Sequence, residues 1–368
     1  MLGKVVAYEN NTDFSNWRRR LNMVAGVGGF GFLADMALEQ ATILVMRSVV
    51  PPAFDLHVTY ANERSPFCPP PVRVAQTALE RFNEGALMVA YFGHGSRTQL
   101  DRLWFKGTSF DIFPAASVYE LSARSGAPIV FFCACSTGHM DGAPDSLAEL
   151  ALKQPKGPVA IFAASRVSMP YANGVMSKEL IGAIFSDRVA TVGEALQIAK
   201  HRLMKPRADD RVRTDIETLA QGYKPIEKDR AKERAEHLFL YNLFGDPATR
   251  IPRAGAVELE CVEETAAGKR LKVVGKTEVD GDVLVEFALE RTPNVGFRAG
   301  DDDTHFAAMY ERANAWVKAQ TTAQAADGRF EAELELPGDL LTGKYHVRVY
   351  VTGAKGAAMG ARAVEVKE

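Results

Sequence analysis

The sequence has few cysteines, no long apolar run and no excess of charge of either sign. Four cysteines in 368 residues are too few for a disulfide scaffold in a chain of this length. No apolar stretch approaches the roughly 20 residues of a membrane-spanning helix, and residues 1–20 lack the apolar core of a signal peptide. The formal net charge of −2 provides no basic surface for nucleic acid. We therefore predict no membrane span and no nucleic-acid partner.

What is present is a globular composition with room for two domains, since 47% of the residues are hydrophobic and 24% are charged. Up to residue 252, apolar runs of strand length alternate with helical patterns, which predicts an α/β sheet. From residue 253 the pattern changes to alternating strands, with turns at Asp280-Gly281 and Asp327-Gly328. We predict an α/β domain at 1–252 and a β-sandwich at 253–368.

Two apolar runs in the first domain lead to residues whose side chains can take part in catalysis. The run at 87–92 is followed by His94, which lies between two glycines, and the run at 128–135 ends in Cys135. Both runs have the length of buried parallel strands, whose carboxyl ends meet at the crevice where α/β sheets place their chemistry. A cysteine is a strong nucleophile once ionised, and a neighbouring imidazole can accept its proton. The pattern predicts a Cys/His hydrolase.

The choice of nucleophile rests on position in the strand. Cys133 and Cys135 share a strand face, but only Cys135 adjoins the turn Ser136-Thr137-Gly138, where backbone amides can point at an oxyanion. Cys133 is two residues deeper, where an apolar site would keep the thiol protonated. A second interpretation is a metal site formed by Cys133, Cys135 and His139, although structural zinc usually takes a fourth ligand. The hydrolase interpretation is the stronger of the two.

The chain resembles the gingipain-type cysteine peptidases, family C25 of the caspase-like clan, over about residues 20–252. The segments that carry the resemblance are Gly93-His94-Gly95-Ser96, Ala134-Cys135-Ser136-Thr137-Gly138, the strand and loop at 157–166, and Phe244-Gly245-Asp246-Pro247. The resemblance implies a mostly parallel caspase-like sheet flanked by helices and followed by an Ig-like sandwich. It also implies a cysteine endopeptidase that acts on polypeptides through a Cys/His dyad and an acyl-enzyme. No cofactor is expected, structural calcium is implied only by resemblance, and the oligomeric state stays open.

By the same resemblance, the backbone N–H groups of Gly95 and Cys135 would bind the oxyanion, and Ser165 and Tyr171 would wall the pocket for the P1 side chain. Asp35 would select Arg or Lys at P1 from the start of the first long helix. A carboxylate in a first helical turn is also favoured by the helix dipole alone, so both interpretations of Asp35 stay open.

The sequence lacks one acidic residue that the resemblance leads us to expect. Some gingipains have an acid at the end of the first strand that orients the histidine, whereas this chain has Ala25-Gly26-Val27 there. Either His94 and Cys135 work as a dyad, or another acid orients His94. Asp101, Asp141 and Asp246 are the candidates, and the sequence does not distinguish among them. The competing function is a catalytically degenerate peptidase fold used as a binding module.

Overall fold

The computed structural model describes residues 2–27, 32–291 and 302–368, with side chains described for all of these except 32–38. None of the helices in these ranges combines the length and apolar character that crossing a membrane requires. Two sheets organise the described chain. An α/β part comes first and a β part follows it.

The α/β part contains strands, helices and three short 3-10 turns (Asn16–Arg19, Pro71–Arg73 and Ala115–Glu120). Its strands are β1 (Arg20–Ala25), β2 (Asp55–Tyr60), β3 (Met88–Phe92), β4 (Arg102–Phe105), β5 (Thr108–Asp111), β6 (Ile129–Cys133), β7 (Ala160–Ala164) and β8 (Tyr241–Phe244). Its helices are α1 (Leu2–Glu9), α2 (Phe32–Ser48), α3 (Val74–Asn83), α4 (Leu147–Lys153), α5 (Pro170–Phe185), α6 (Val192–Met204), α7 (Arg211–Gln221) and α8 (Glu227–Leu240).

Six of these strands form one sheet in the order β2-β1-β3-β6-β7-β8. The strands are parallel except β8, which runs antiparallel to β7. The central strands β6 and β7 are apolar throughout and fully buried because helices cover both faces of the sheet. Phe92 at the end of β3 lies opposite Cys133 at the end of β6, so the two strands end side by side. This confirms the predicted α/β fold.

Two segments of the α/β part differ from their sequence patterns. Residues 205–223 are highly charged, which predicts a solvated surface segment, but they contain α7. The helix buries Ile216 and Ala220, while the buried guanidinium of Arg213 pairs with Glu217. The helical pattern that begins at Glu227 also stops at Leu240, because Tyr241 turns into the sheet as the first residue of β8.

The β part wraps one sheet around its own core. Its elements are β9 (Gly255–Glu260), β10 (Glu264–Ala266), β11 (Arg270–Thr277), β12 (Gly281–Leu289), α9 (Asp303–Asn314), β13 (Val317–Ala325), β14 (Arg329–Glu335), β15 (Gly343–Thr352) and β16 (Ala357–Lys367). Strands β13 and β14 are at opposite ends of the pairing order, yet the tight turn Asp327-Gly328 joins them. The sheet must therefore curve until its two ends meet, which agrees with the predicted sandwich.

A buried ion network joins the two parts. Glu286 of β12 accepts two hydrogen bonds from Arg19, at 2.8 and 3.0 Å, and two from Arg348 of β15, at 2.7 and 3.0 Å. Arg348 also reaches Asp55 at the start of β2, at 3.2 Å. The three charged side chains at the centre are almost fully buried. The β part is therefore attached to the first strands of the α/β sheet by charge as well as by packing.

Helix α9 covers the open edge of the α/β sheet. The Asn314 side chain accepts a hydrogen bond from the Val58 N–H (2.8 Å) and donates one to the Val58 carbonyl (2.9 Å). Asn314 thus pairs with edge strand β2 as another strand would, which protects the edge. From the same helix, Phe306 is buried and packs edge-on against Phe105 of hairpin β4–β5.

Candidate active site

The histidine lies in a short loop that folds back on itself. Gly93 has φ 149°, which admits little but glycine, and Gly95 pairs with Leu100 across the loop. The buried Tyr91 hydroxyl donates to the His94 carbonyl (2.8 Å) and accepts from the Asp101 N–H (3.2 Å). The loop therefore has a fixed backbone, and the His94 side chain is half-buried at its tip.

The cysteine lies in the turn that follows β6. Ser136 has φ 56°, an uncommon conformation for a residue other than glycine. The turn is secured by hydrogen bonds from the Ser136 N–H to the Arg166 carbonyl (3.0 Å) and from the Gly138 N–H to the Ala164 carbonyl (2.9 Å). A side chain at position 138 would collide with Phe244. The turn holds Cys135 half-buried at the carboxyl edge of the sheet.

The histidine and cysteine loops are in contact. A Cβ atom on Gly95 would lie 2.8 Å from the Ala134 Cβ and 3.0 Å from the Cys135 carbonyl oxygen, so only glycine allows this approach. In the described part of the chain, the N–H groups of Gly95 and Cys135 have no hydrogen-bond acceptor. Two N–H donors without acceptors beside a thiol form an arrangement that can bind a developing oxyanion.

The two neighbouring cysteines have different surroundings. The Cys133 thiol is buried and accepts hydrogen bonds from the hydroxyls of Ser177 (3.3 Å) and Tyr241 (3.8 Å). Burial raises the pKa of Cys133 to about 11, which keeps the thiol protonated and unreactive at neutral pH. Cys135 is the more accessible of the two. The surroundings therefore favour Cys135 as the nucleophile.

The structure adds Ser168, a residue that sequence reasoning missed. Its N–H donates to the Cys135 sulfur at 3.3 Å, a contact that stabilises negative charge on the sulfur. The next N–H, of Met169, donates to His237 Nε2 at 3.1 Å. Burial lowers the pKa of His237 to about 4, so the neutral ring can accept. Pro170 signals the start of α5, but no local pattern shows that Ser168, two residues earlier, reaches Cys135.

A cavity of about 330 Å³ opens beside the two loops. Its lining includes Gly93 and Cys133, which lie next to the loops, and Pro170 and Asn173 from α5. Most of the surface is apolar, supplied by β1, β2 and α2. The charged residues of its described lining are Glu39, Arg64 and Arg291. The Arg291 guanidinium already has partners, because it donates hydrogen bonds to four backbone carbonyls around the end of α2 (residues 46, 50, 51 and 54).

The three residues predicted to bind substrate lie in different places relative to this cavity. Tyr171 is 1% exposed, does not line the cavity, and donates its hydroxyl to Glu217. Tyr171 therefore lies outside this cavity, because the first turn of α5 directs it towards α7. Ser165 does not line the cavity either, and its hydroxyl donates to the Leu240 carbonyl at 3.2 Å. Asp35 lies in α2, but its side chain is outside the described residues.

The three candidate acids also have different partners. Asp141 pairs with Arg166 and with His139 Nε2 at 2.8 Å, and Asp246 accepts the Ala248 N–H at 2.9 Å. The Asp101 carboxylate instead interacts with His94. The structure thus separates three residues that are equivalent in the sequence.

The residues present do not fit a metal centre. Within residues 2–27, 32–291 and 302–368, no group of three or more His, Cys, Asp or Glu side chains is arranged to hold a metal ion. Cys133 contacts Ser177, Cys135 contacts Ser168 and His139 contacts Asp141, so the C-x-C-x3-H pattern does not converge.

The chain matches one protein-family model and is similar to several solved structures. Residues 1–252 match the family model described as "Peptidase family C25". Among solved structures, the Arg-specific cysteine proteinase gingipain R (RGPB) aligns over 100% of this chain and 71% of its own, at 16% identity and a TM-score of 0.45. A structure titled "Structure of Protease" aligns over 99% and 71%, at 12% identity and a TM-score of 0.43.

Dimeric latent PorU from Porphyromonas gingivalis aligns over 39% of this chain and 16% of its own, at 18% identity and a TM-score of 0.24. No curated protein sequence matches the chain. The family match covers more than half of the chain and contains both the histidine and the cysteine loop. The chain therefore belongs to peptidase family C25 and is a cysteine-type peptidase.

Proposed function

We propose that the chain is an endopeptidase in which Cys135 is the nucleophile and His94 is the general base and acid. The observation that carries this proposal is the contact between the two loops at Gly95, which brings the tip of β3 against the turn that holds Cys135. The fold of family C25 and the buried, protonated state of Cys133 support the same assignment.

The proposed reaction has two steps. The Cys135 sulfur attacks the scissile carbonyl while its proton passes to His94, and the N–H groups of Gly95 and Cys135 hydrogen-bond the oxyanion. The C–N bond then breaks, and His94 donates the proton to the leaving amine. Water, deprotonated by His94, attacks the resulting thioester and regenerates the thiol as the carboxylic acid leaves.

The test is labelling with an arginyl or lysyl chloromethyl ketone, followed by mass-spectrometric mapping of the alkylated peptide. A peptidyl chloromethyl ketone reacts with a cysteine that binds it as substrate and has a usable thiolate. We expect one adduct on Cys135, and we expect Cys133, Cys68 and Cys261 to remain free. An adduct on Cys133, or equal labelling of all four thiols, would contradict the assignment.

We further propose that the cavity receives the P1 side chain and prefers Arg or Lys. Glu39 lines this mostly apolar cavity and has no ion-pair partner among the described residues. Glu39 is exposed as a whole, but partial burial raises the pKa of its carboxyl group, so a cation bound in the cavity would offset the desolvation of the carboxylate. Asp35 lies one helical turn before Glu39 in α2, so two acids are candidates for the same selection.

The variants Glu39→Gln and Asp35→Asn distinguish the two acids. Loss of the selecting carboxylate is expected to lower the ratio of kcat/KM for P1 Arg over P1 Ala by about 10-fold, the value of one charge-assisted hydrogen bond. The measurement is a set of peptides that differ only at P1, with Glu331→Gln on the β part as control. If the ratio is unchanged in both variants, P1 selection by these acids is rejected.

A further inference from the structure

Asp101 has an unusual position relative to His94. The Tyr91 hydroxyl links the two residues through their backbones, because it bonds the His94 carbonyl and the Asp101 N–H. The Asp101 carboxylate in turn accepts a hydrogen bond from the backbone N–H of His94 and interacts electrostatically with the His94 ring. Asp101 is therefore linked to His94 twice, directly by its carboxylate and through the Tyr91 hydroxyl by its backbone N–H.

The space that Asp101 occupies exists because residue 26 is glycine. A Cβ atom on Gly26 would lie 2.9 Å from the Asp101 Cβ, 2.9 Å from its Oδ2 and 3.0 Å from the Tyr91 hydroxyl. Gly26 follows the last residue of β1, next to the end of β3, and its N–H donates to the Phe92 carbonyl. A carboxylate therefore lies beside the tip of the first strand, but it comes from another segment of the chain.

Asp101 has no cationic partner that would explain it as a structural acid. The neighbouring Arg102 directs its guanidinium to Asp111 at 2.7 Å, and no Lys or Arg side chain within the described residues pairs with Asp101. Burial raises the pKa of Asp101, and this outweighs the hydrogen bonds from the Arg102 and His94 N–H groups and the charge of His94. Ionised Asp101 therefore disfavours folding, which is typical of a carboxylate kept for function.

We propose that Asp101 is the positioning residue of His94. Its carboxylate holds the backbone of the histidine loop, and its negative charge stabilises the imidazolium that forms when Cys135 loses its proton. This inference rests on the proposed function. It assigns the role of orienting acid to the segment after the histidine rather than to the first strand.

The first test is Asp101→Asn, with Asp111→Asn as the matched control. The amide keeps the size and an acceptor oxygen but removes the charge, so we expect kcat to fall about 10- to 100-fold with little change in KM. The melting temperature should stay the same or rise, because a carboxylate whose pKa is raised by folding stabilises the native state only as pH falls through that pKa. The control should keep its kcat.

The second test moves the carboxylate to the other side of the same space. Asp101→Gly removes the two closest contacts that a Cβ atom at position 26 would make, and only the Tyr91 hydroxyl, at 3.0 Å, must then shift by a few tenths of an ångström. The backbone of residue 26 is outside the left-handed region, so Gly26→Asp can be added. We expect Asp101→Gly to be impaired and Gly26→Asp/Asp101→Gly to recover kcat at least severalfold.

The possible results distinguish a failure of this inference from a failure of the proposed peptidase function. Wild-type kcat in Asp101→Asn overturns the inference alone, and so does a loss that the Asp111→Asn control shares. A loss accompanied by a lower melting temperature and no recovery in the double variant also overturns it. A wild-type protein that does not cleave peptides overturns the proposed function, and the inference with it.

Discussion

Replacing Cys135 with alanine is expected to lower kcat/KM for peptide hydrolysis on the order of 10⁴- to 10⁶-fold, as removal of a catalytic nucleophile does in other hydrolases. Without the sulfur no acyl-enzyme forms, and the donors at Gly95 and the residue-135 backbone supply only the remaining stabilisation. The fold should persist, because Cys135 is half-buried and, within the described residues, its sulfur forms hydrogen bonds only with Ser168. The measurement is hydrolysis of one fluorogenic peptide, with melting temperatures compared.

Two further cysteine variants are the controls. Cys133→Ala removes a buried thiol that lines the cavity, so we expect a change mainly in KM and a kcat within about 10-fold of wild type. Cys261→Ala, in the β part, should leave both constants unchanged. If Cys133→Ala is inactive while Cys135→Ala still cleaves the peptide, the two sulfurs have been assigned in the wrong order.

The largest effect on stability is expected from Glu286→Ala. The carboxylate lies between the guanidinium groups of Arg19 and Arg348, both nearly inaccessible to solvent. Removing it leaves two buried cations that repel each other, and breaking a buried pair in this way costs about 3–5 kcal/mol. The free energy of unfolding is measured by denaturant titration at pH 7.

The control is Glu331→Ala, which breaks an exposed ion pair with Lys272 at 2.6 Å. Surface pairs contribute about 0–1 kcal/mol, so this variant should remain close to wild type. A loss of similar size in both variants would contradict the role of the buried network.

The pH dependence of the Glu286 effect follows from the sign of its pKa shift. Burial by itself raises the pKa of Glu286, but the hydrogen bonds and charges of Arg19 and Arg348 more than offset it, so the pKa lies below its ordinary value of 4.5. The stabilisation is present above the unfolded pKa and is lost as pH falls through the folded pKa. The difference between wild type and Glu286→Ala should therefore shrink progressively below about pH 4.5.

The elements that the sequence predicted share one property, which is a strong local pattern. The strands around 88–92, 129–133 and 160–164 are continuous apolar runs, and the helix from Phe32 to Ser48 has the bounds that its pattern predicts. The missed elements have weak patterns. Strand β16 is rich in alanine and β13 is polar on one face, so both depend on neighbouring strands rather than on their own propensity.

The same distinction applies to the site. His94 and Cys135 are recognisable because glycines and a turn mark each of them at a strand end. Ser168, Glu39 and Asp101 carry no such mark, since a serine before a helix or an acid in a loop is common. Tyr171 shows a different case, since only the structure shows that its hydroxyl bonds Glu217 and that the residue lies outside the cavity described above.

The amino-acid sequence by itself determined the strongly patterned strands and helices, the change from an α/β to a β pattern, and the two residues that leave the strand tips. These follow from periodicity and turn chemistry, which act over a few neighbouring residues. Only the tertiary structure decided which acid lies beside His94, which thiol is buried and how the β part attaches to the sheet. Those features depend on burial, charge and close contact between segments that are distant in the chain, and no local pattern records them.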